Sequence, residues 1–201
     1  MSLPFKYTAS FANAFKVFPV EDKFVSKASL DELSSLLPKD IDFEKNIDLI
    51  GVAFNAAVAN MFNKNGDGID AVTAVAIKDY FIHKPTNIEH QRQKVVGHIV
   101  GASLSSFEDS SIMEVSSAIG ETGPFNIALS AVVYRSVNSE FADLVEKSAD
   151  KDSEFYQKVS ASWEIGFNEY DIAVGSKNLS EARIINSEEE KEELKSCLKC
   201  Y

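Results

Sequence analysis

The sequence predicts an α+β fold, and three patterns carry that prediction. "VSASWEIGF" alternates apolar Val159, Ala161, Trp163, Ile165 and Phe167 with Ser160, Ser162, Glu164 and Gly166, the two-residue period of a strand. "FNIALSAVVY" alternates Phe125, Ile127, Leu129, Ala131 and Val133, which favours a second strand and leaves a helical reading open. "NSEFADLVEKSAD" sets Phe141, Leu144 and Val145 at helical spacing behind a polar start. With 201 residues, 45% of them hydrophobic and 25% charged, the chain has the composition and length of one globular domain with a sizeable core.

The remaining elements follow in chain order. "SLDELSSLLP" has Ser29 and Glu32 at capping-box spacing and stops at Pro38, a short helix. "IDLIGVAFNAAVA" has the apolar content of a buried strand, with a bend expected at Gly51. "NKNGDGID" is a turn-rich break. It lacks a calcium loop's closing carboxylate, because the twelfth place from Asn63 is Ala74. "DAVTAVAIKDYF" reads as a helix capped by Asp70, with Val72, Val75 and Ala76 on one side and Pro85 limiting its extent. "VVGHIVGASL" reads as a strand and "FEDSSIMEVSSAIGETGP" as a loop. From about Ser180 the composition turns polar. The chain therefore divides into a domain over 1–180 and an acidic C-terminal tail over 181–201, either a solvated helix or disordered.

Bulk properties narrow the function. A net charge of −11 argues against a nucleic-acid-binding surface. No apolar run approaches the ~18 residues of a membrane span, and "MSLPFKYTASF" lacks a signal peptide's core, so a cytoplasmic protein with no membrane role is expected. The two cysteines, Cys197 and Cys200, cannot supply a disulfide framework. As half of a zinc site they lack a second pair, and no metal or other cofactor is expected.

A serine hydrolase needs a nucleophile within hydrogen-bond reach of an imidazole, and a third group to orient that ring. The imidazoles available are His83, His90 and His98. The best-organised serines are on the polar face of residues 160 to 164, because a strand holds a nucleophile more rigidly than a loop does.

"PTNIEHQRQKVVGHIVG" resembles the first histidine motif of the herpesvirus capsid-assembly proteases. Pro85, Asn87, Ile88, Glu89, His90, Arg92, Val96 and Gly97 occupy the motif's places around its catalytic histidine. "FNKNGDGID" followed by "IKDYF", and "SWEIGFNEYDI", are similar to patterns in the T4-like branch of the bacteriophage prohead (head-maturation) proteases. These matches are scattered over roughly residues 50 to 175. The resemblance implies an α+β fold built as a small, mostly antiparallel β-barrel surrounded by helices. It carries the nucleophile to Ser162, or to Ser160 if the Val-Ser step sets the alignment, and the general base to His90.

The sequence also departs from the herpesvirus pattern. No histidine follows Ser162, and "WEIGF" has no arginine pair for the oxyanion hole. The third catalytic member is then acidic or missing, with Asp79 as first choice and Glu164 or Asp171 as alternates. His98 is expected to be structural. The implied activity is endoproteolysis, without cofactor, of scaffold or core proteins, of the major capsid protein and of the chain itself. The implied location is the host cytoplasm, inside the assembling prohead, with a homo-oligomer left open. The branch's preference for cleaving after Glu in Leu/Ile-x-Glu fits Leu30-Asp31-Glu32, Ile112-Met113-Glu114, Leu144-Val145-Glu146 and Leu179-Ser180-Glu181. Accessibility selects the last, so self-cleavage between Glu181 and Ala182 is expected. The alternative is a non-enzymatic capsid or scaffold assembly module that retains the fold.

Overall fold

The structure is a computed structural model that describes residues 5–14, 16–17, 33–150, 152–156 and 158–198. Its strands are β1 (Tyr7–Ala14), β2 (Lys16–Val17), β3 (Leu49–Ala59), β4 (Pro85–Asn87), β5 (Val95–Ser106), β6 (Ile112–Met113), β7 (Phe125–Tyr134), β8 (Ser160–Phe167), β9 (Ile172–Val174) and β10 (Arg183–Ile185). The α-helices are α1 (Ala71–Ile77), α2 (Val115–Ile119), α3 (Ser139–Ala149) and α4 (Glu188–Leu198), with a 3-10 helix over Lys78–Phe81. The fold is thus mixed α and β with antiparallel sheets. The capping box of Ser29 and Glu32, the Leu30-Asp31-Glu32 match and Cys200 lie outside the described residues.

The central sheet runs β2-β3-β7-β5-β4, and β6 pairs with the far end of β5. β7 is buried along nearly its whole length because it has a partner on each edge and a packed layer on each face. Phe125, Ile127, Leu129, Ala131 and Val133 join the main core, which settles this segment as a strand. On the other face Ala128 packs with Ala53, Leu33 and Leu36. There Ser130 Oγ donates to the Leu36 carbonyl at 2.7 Å, so residues 33–37 cover the sheet.

Register is fixed by polarity as well as by shape. Ser105 stands opposite Asn126, and both are buried. Ser105 Oγ donates to Asn55 Oδ1 at 2.9 Å and Asn126 Nδ2 donates to the Ser106 carbonyl at 2.8 Å. A one-residue slip would leave these groups buried without partners, at about 1–3 kcal/mol each.

Three sequence expectations are corrected. The β3 irregularity lies between Asn55 and Ala57, and Gly51 pairs regularly with Val132. What Gly51 provides is room, since a Cβ there would press on Leu37 and Phe43. α1 buries Ala71 and Ala74 and leaves Val72 66% exposed, so the inward face lies one residue away from the expected one. Asp70 does cap it, accepting from Thr73 N–H at 2.9 Å. Residues 107–124 are more than a loop, because β6 and α2 form within them. α2 buries Ala118 beneath a short turn with weak apolar periodicity, which is why the pattern is hard to see.

Across the 180/181 boundary the chain continues as a hydrogen-bonded turn. Leu179 N–H donates to Asn60 O at 3.0 Å and Ser180 Oγ to Thr122 O at 2.6 Å. β10 then pairs with β9 and buries Ile185. The charge-rich α4 follows, mostly exposed, with Lys191 as its buried anchor. Among the described residues no helix is long and apolar enough to cross a membrane.

Candidate active site

β8 pairs antiparallel with β1, and the ladder sets Ser162 opposite Ala12 and Trp163 opposite Phe11. Alternation along β8 is complete from residue 160 to 165: Ser160, Ser162 and Glu164 are exposed, while Ala161, Trp163 and Ile165 are half-buried and pack on the main core. Trp163 fixes the strand. Its ring stacks on Phe11 at 4.7 Å between centroids and meets Phe81 edge-on at 4.7 Å. Its indole N–H donates to the Ala56 carbonyl at 3.0 Å, at the point where the β3–β7 register shifts. The core therefore holds one face of β8, and the hydroxyls of the other face point outward.

His90 reaches this face from the connection between β4 and β5. That connection is closed by Gln91 N–H to Ile88 O at 3.0 Å, Lys94 N–H to Gln91 O at 2.8 Å and Ile88 N–H to Lys94 O at 3.2 Å. At the base of the hairpin, a Cβ on Gly97 would overlap the Val132 carbonyl and Thr86 Oγ1. Glycine is required there for β5 to lie close to both neighbours. The outcome is one short contact: Ser162 Oγ lies 2.6 Å from His90 Nε2, between two exposed side chains 72 residues apart in sequence. With Nε2 as acceptor the ring carries its proton on Nδ1, the arrangement in which imidazole can take the hydroxyl's proton.

The other site residues predicted from sequence do not join this pair. Asp79 sits on the 3-10 helix with its carboxylate 62% exposed, bonded to Lys78 Nζ at 2.6 Å. Among the described residues no hydrogen bond links Asp79 to His90, and His90 Nδ1 has no protein partner. Asp171 is engaged at the far end of the β8 region, 3.3 Å from Lys191 Nζ. Glu164 is exposed on the face of Ser162, opposite Ser10 in the ladder. Ser160 begins β8, also exposed, with no bond to an imidazole among the described residues. His98 is half-buried in β5, with Nδ1 2.5 Å from the Tyr134 hydroxyl. Glu181 occupies an exposed turn, where its N–H donates to Asn178 O at 3.2 Å and its carboxylate accepts from Ser176 Oγ at 3.2 Å.

The electrostatics are strongest around α4. Glu188 and then Asp171 hold the Lys191 ammonium above the usual lysine range, and Lys191 in return holds Glu188 below the usual carboxylate range. Lys195 is raised chiefly by Glu192. Lys191 and Lys195 both lie 5.4 Å from the centre of the Tyr170 ring. Among the described residues no three His, Cys, Asp or Glu side chains converge as a metal site would require.

Sequence reasoning missed two parts of the site, the acceptor for the Trp163 indole and the backbone shape of the His90 turn. The first had no signal, since a freed carbonyl leaves no trace in residue type. The second had none either, since no Gly or Asn stands at 89 or 90 to mark the left-handed turn within the seven-residue connection 88–94. Comparison with protein-family models, with curated proteins and with solved structures returned no match.

Proposed function

We propose that this protein is a serine endopeptidase of the phage prohead-protease type, with Ser162 as nucleophile and His90 as general base. The observation that carries the reading is the 2.6 Å contact between Ser162 Oγ and His90 Nε2 on an accessible face. Ser162 would attack the scissile carbonyl while His90 takes its proton, and His90 would return that proton to the leaving amine. The acyl-enzyme is then released by water activated by the same ring. The two groups work as a dyad in this arrangement, since Asp79 is turned to Lys78.

The packing of the β1–β8 ladder against an antiparallel sheet supports the small barrel of that family, with helices outside it. Scaffold or core proteins, the major capsid protein and the chain itself are the substrates this reading assigns, cleaved within the assembling head. The second reading, a non-enzymatic assembly module, is favoured by the lack of a protein partner for His90 Nδ1 among the described residues.

A fluorophosphonate probe separates the two readings. Wild type should be labelled at Ser162, Ser160→Ala and Asp79→Asn should label like wild type, and Ser162→Ala should not label. His90→Ala should lose most of the rate, towards the roughly 10⁶-fold loss that follows removal of the base from a serine protease. An unlabelled, folded wild type would select the assembly module.

A further inference from the structure

Glu89 and His90 both lie at positive φ, 52° and 57°, within the turn closed by Gln91 N–H and the Ile88 carbonyl. Two successive left-handed residues at the centre of a hydrogen-bonded turn define the type I′ class, normally built from Asn-Gly, Asp-Gly or Gly-Gly. Glu is a poor choice there and His a more tolerated one, so the cost of the left-handed pair falls chiefly on Glu89 and persists only when the surroundings impose it. The other non-glycine residues at positive φ among the described residues, Asn60, His83 and Ser110, each stand alone in sequence. Among the described residues the left-handed pair therefore coincides with the one imidazole that meets a serine hydroxyl.

What holds the turn is visible. Gln91 Nε2 donates to Glu89 Oε2 at 3.2 Å, Ile88 and Lys94 close the loop behind it, and His90 is tied forward to Ser162. Glu89 is exposed. Its importance is then in its backbone, because a φ of the opposite sign at Glu89 would reverse the turn within the 88–94 connection and carry the His90 ring away from β8.

We infer that Glu89 is a positioning residue: its left-handed backbone aims His90 at Ser162, and the dyad exists only while the turn keeps its I′ form. The inference rests on the protease reading for its importance to rate, but the Ser162–His90 contact can be measured without any activity. Strain that disfavours the I′ form lowers the population of the assembled dyad, and the apparent rate falls by the same factor.

The test uses full-length protein and four substitutions. Glu89→Gly and Glu89→Asn accept positive φ, Glu89→Val resists it, and Glu89→Pro fixes φ near −65°. The first readout is the ring-nitrogen chemical shifts of His90, compared with and without Ser162→Ala. The second is the rate of fluorophosphonate labelling. In wild type, Glu89→Gly and Glu89→Asn, the His90 shifts should respond to loss of the Ser162 hydroxyl, and labelling should stay within about threefold. In Glu89→Val labelling should fall on the order of tenfold or more, the scale set by strain of this kind. In Glu89→Pro both signals should vanish. Should Glu89→Pro misfold, Glu89→Val against Glu89→Asn decides alone. A Glu89→Val or Glu89→Pro protein whose His90 still responds as in wild type overturns the inference, as does a wild-type His90 that never responds. A wild type that shows the response but no labelling would leave Glu89's role standing and remove the protease reading instead.

Discussion

Replacing Trp163 by Phe removes the indole N–H while leaving a ring between Phe11 and Phe81. The Ala56 carbonyl then loses its donor. Ala56 is 2% exposed and stands outside the β3–β7 register, so neither water nor the ladder readily takes the indole's place. A buried acceptor left in this way costs about 1–3 kcal/mol. The smaller ring gives up part of the stacking and leaves a small void, worth about 1 kcal/mol more. The sum is about 2–4 kcal/mol, which for a chain of this size lowers Tm by about 4–16 °C. Differential scanning calorimetry on Trp163→Phe beside Ser162→Ala is the assay. Ser162→Ala, on the exposed face, should stay within ~1 kcal/mol of wild type. If Trp163→Phe melts within about 2 °C of wild type, the indole bond does not anchor β8, and the reason given for the rigidity of Ser162 fails.

Two further predictions concern groups outside the dyad. His98→Ala should lower Tm, through loss of the Tyr134 contact, and leave labelling of Ser162 unchanged; a folded His98→Ala that cannot be labelled would move the general base away from His90. Cleavage after Glu181 should nick the protein without releasing residues 182–201 at neutral pH, because β10 stays paired with β9 and Lys191 stays buried against Asp171. The docking of α4 should be strongest between the ordinary values of 4.5 for Glu and 10.5 for Lys. Glu188, whose pKa is lowered, loses its contribution as pH falls below 4.5 through its folded value, and Lys191, whose pKa is raised, loses its own as pH rises above 10.5. Mass spectrometry of nicked protein under native and denaturing conditions checks this, and a fragment that separates from the body at pH 7 would refute it.

Strand periodicity made β8 legible because one face is buried and the other wet, the condition under which alternation reports structure. β7 was harder, since a strand buried on both faces shows a continuous apolar run that a buried helix shares. Residue type points to Gly51 for the bend in β3, whereas the bulge coincides with tertiary contacts: half-buried Asn55 bonds to buried Ser105, which meets Asn126, and the Trp163 indole bonds to the adjacent Ala56 carbonyl. The α1 face was displaced by one residue because a seven-residue helix contains too few turns to average out a single exposed valine. The acidic C-terminal segment looked solvated from composition alone. One lysine, held by carboxylates from two directions and lying over Tyr170, outweighs that composition locally.

The two halves of the candidate site were legible for different reasons. The face that carries Ser160 and Ser162 follows from periodicity, while the choice of Ser162 comes from the resemblance of "SWEIGFNEYDI". His90 is legible through the resemblance of its motif, and its local sequence argues against the shape it adopts. "NIEHQR" has an Asn two residues too early to serve the turn, and no glycine. A sequence optimised for a type I′ turn would have placed Gly or Asn where Glu89 and His90 stand. Agreement between local preference and global structure is the rule in stable folds, and violations gather where something other than stability is selected. The preference is broken here at the residue that meets Ser162, and under the protease reading proposed above that departure belongs with the Ser162–His90 contact rather than with closure of the turn.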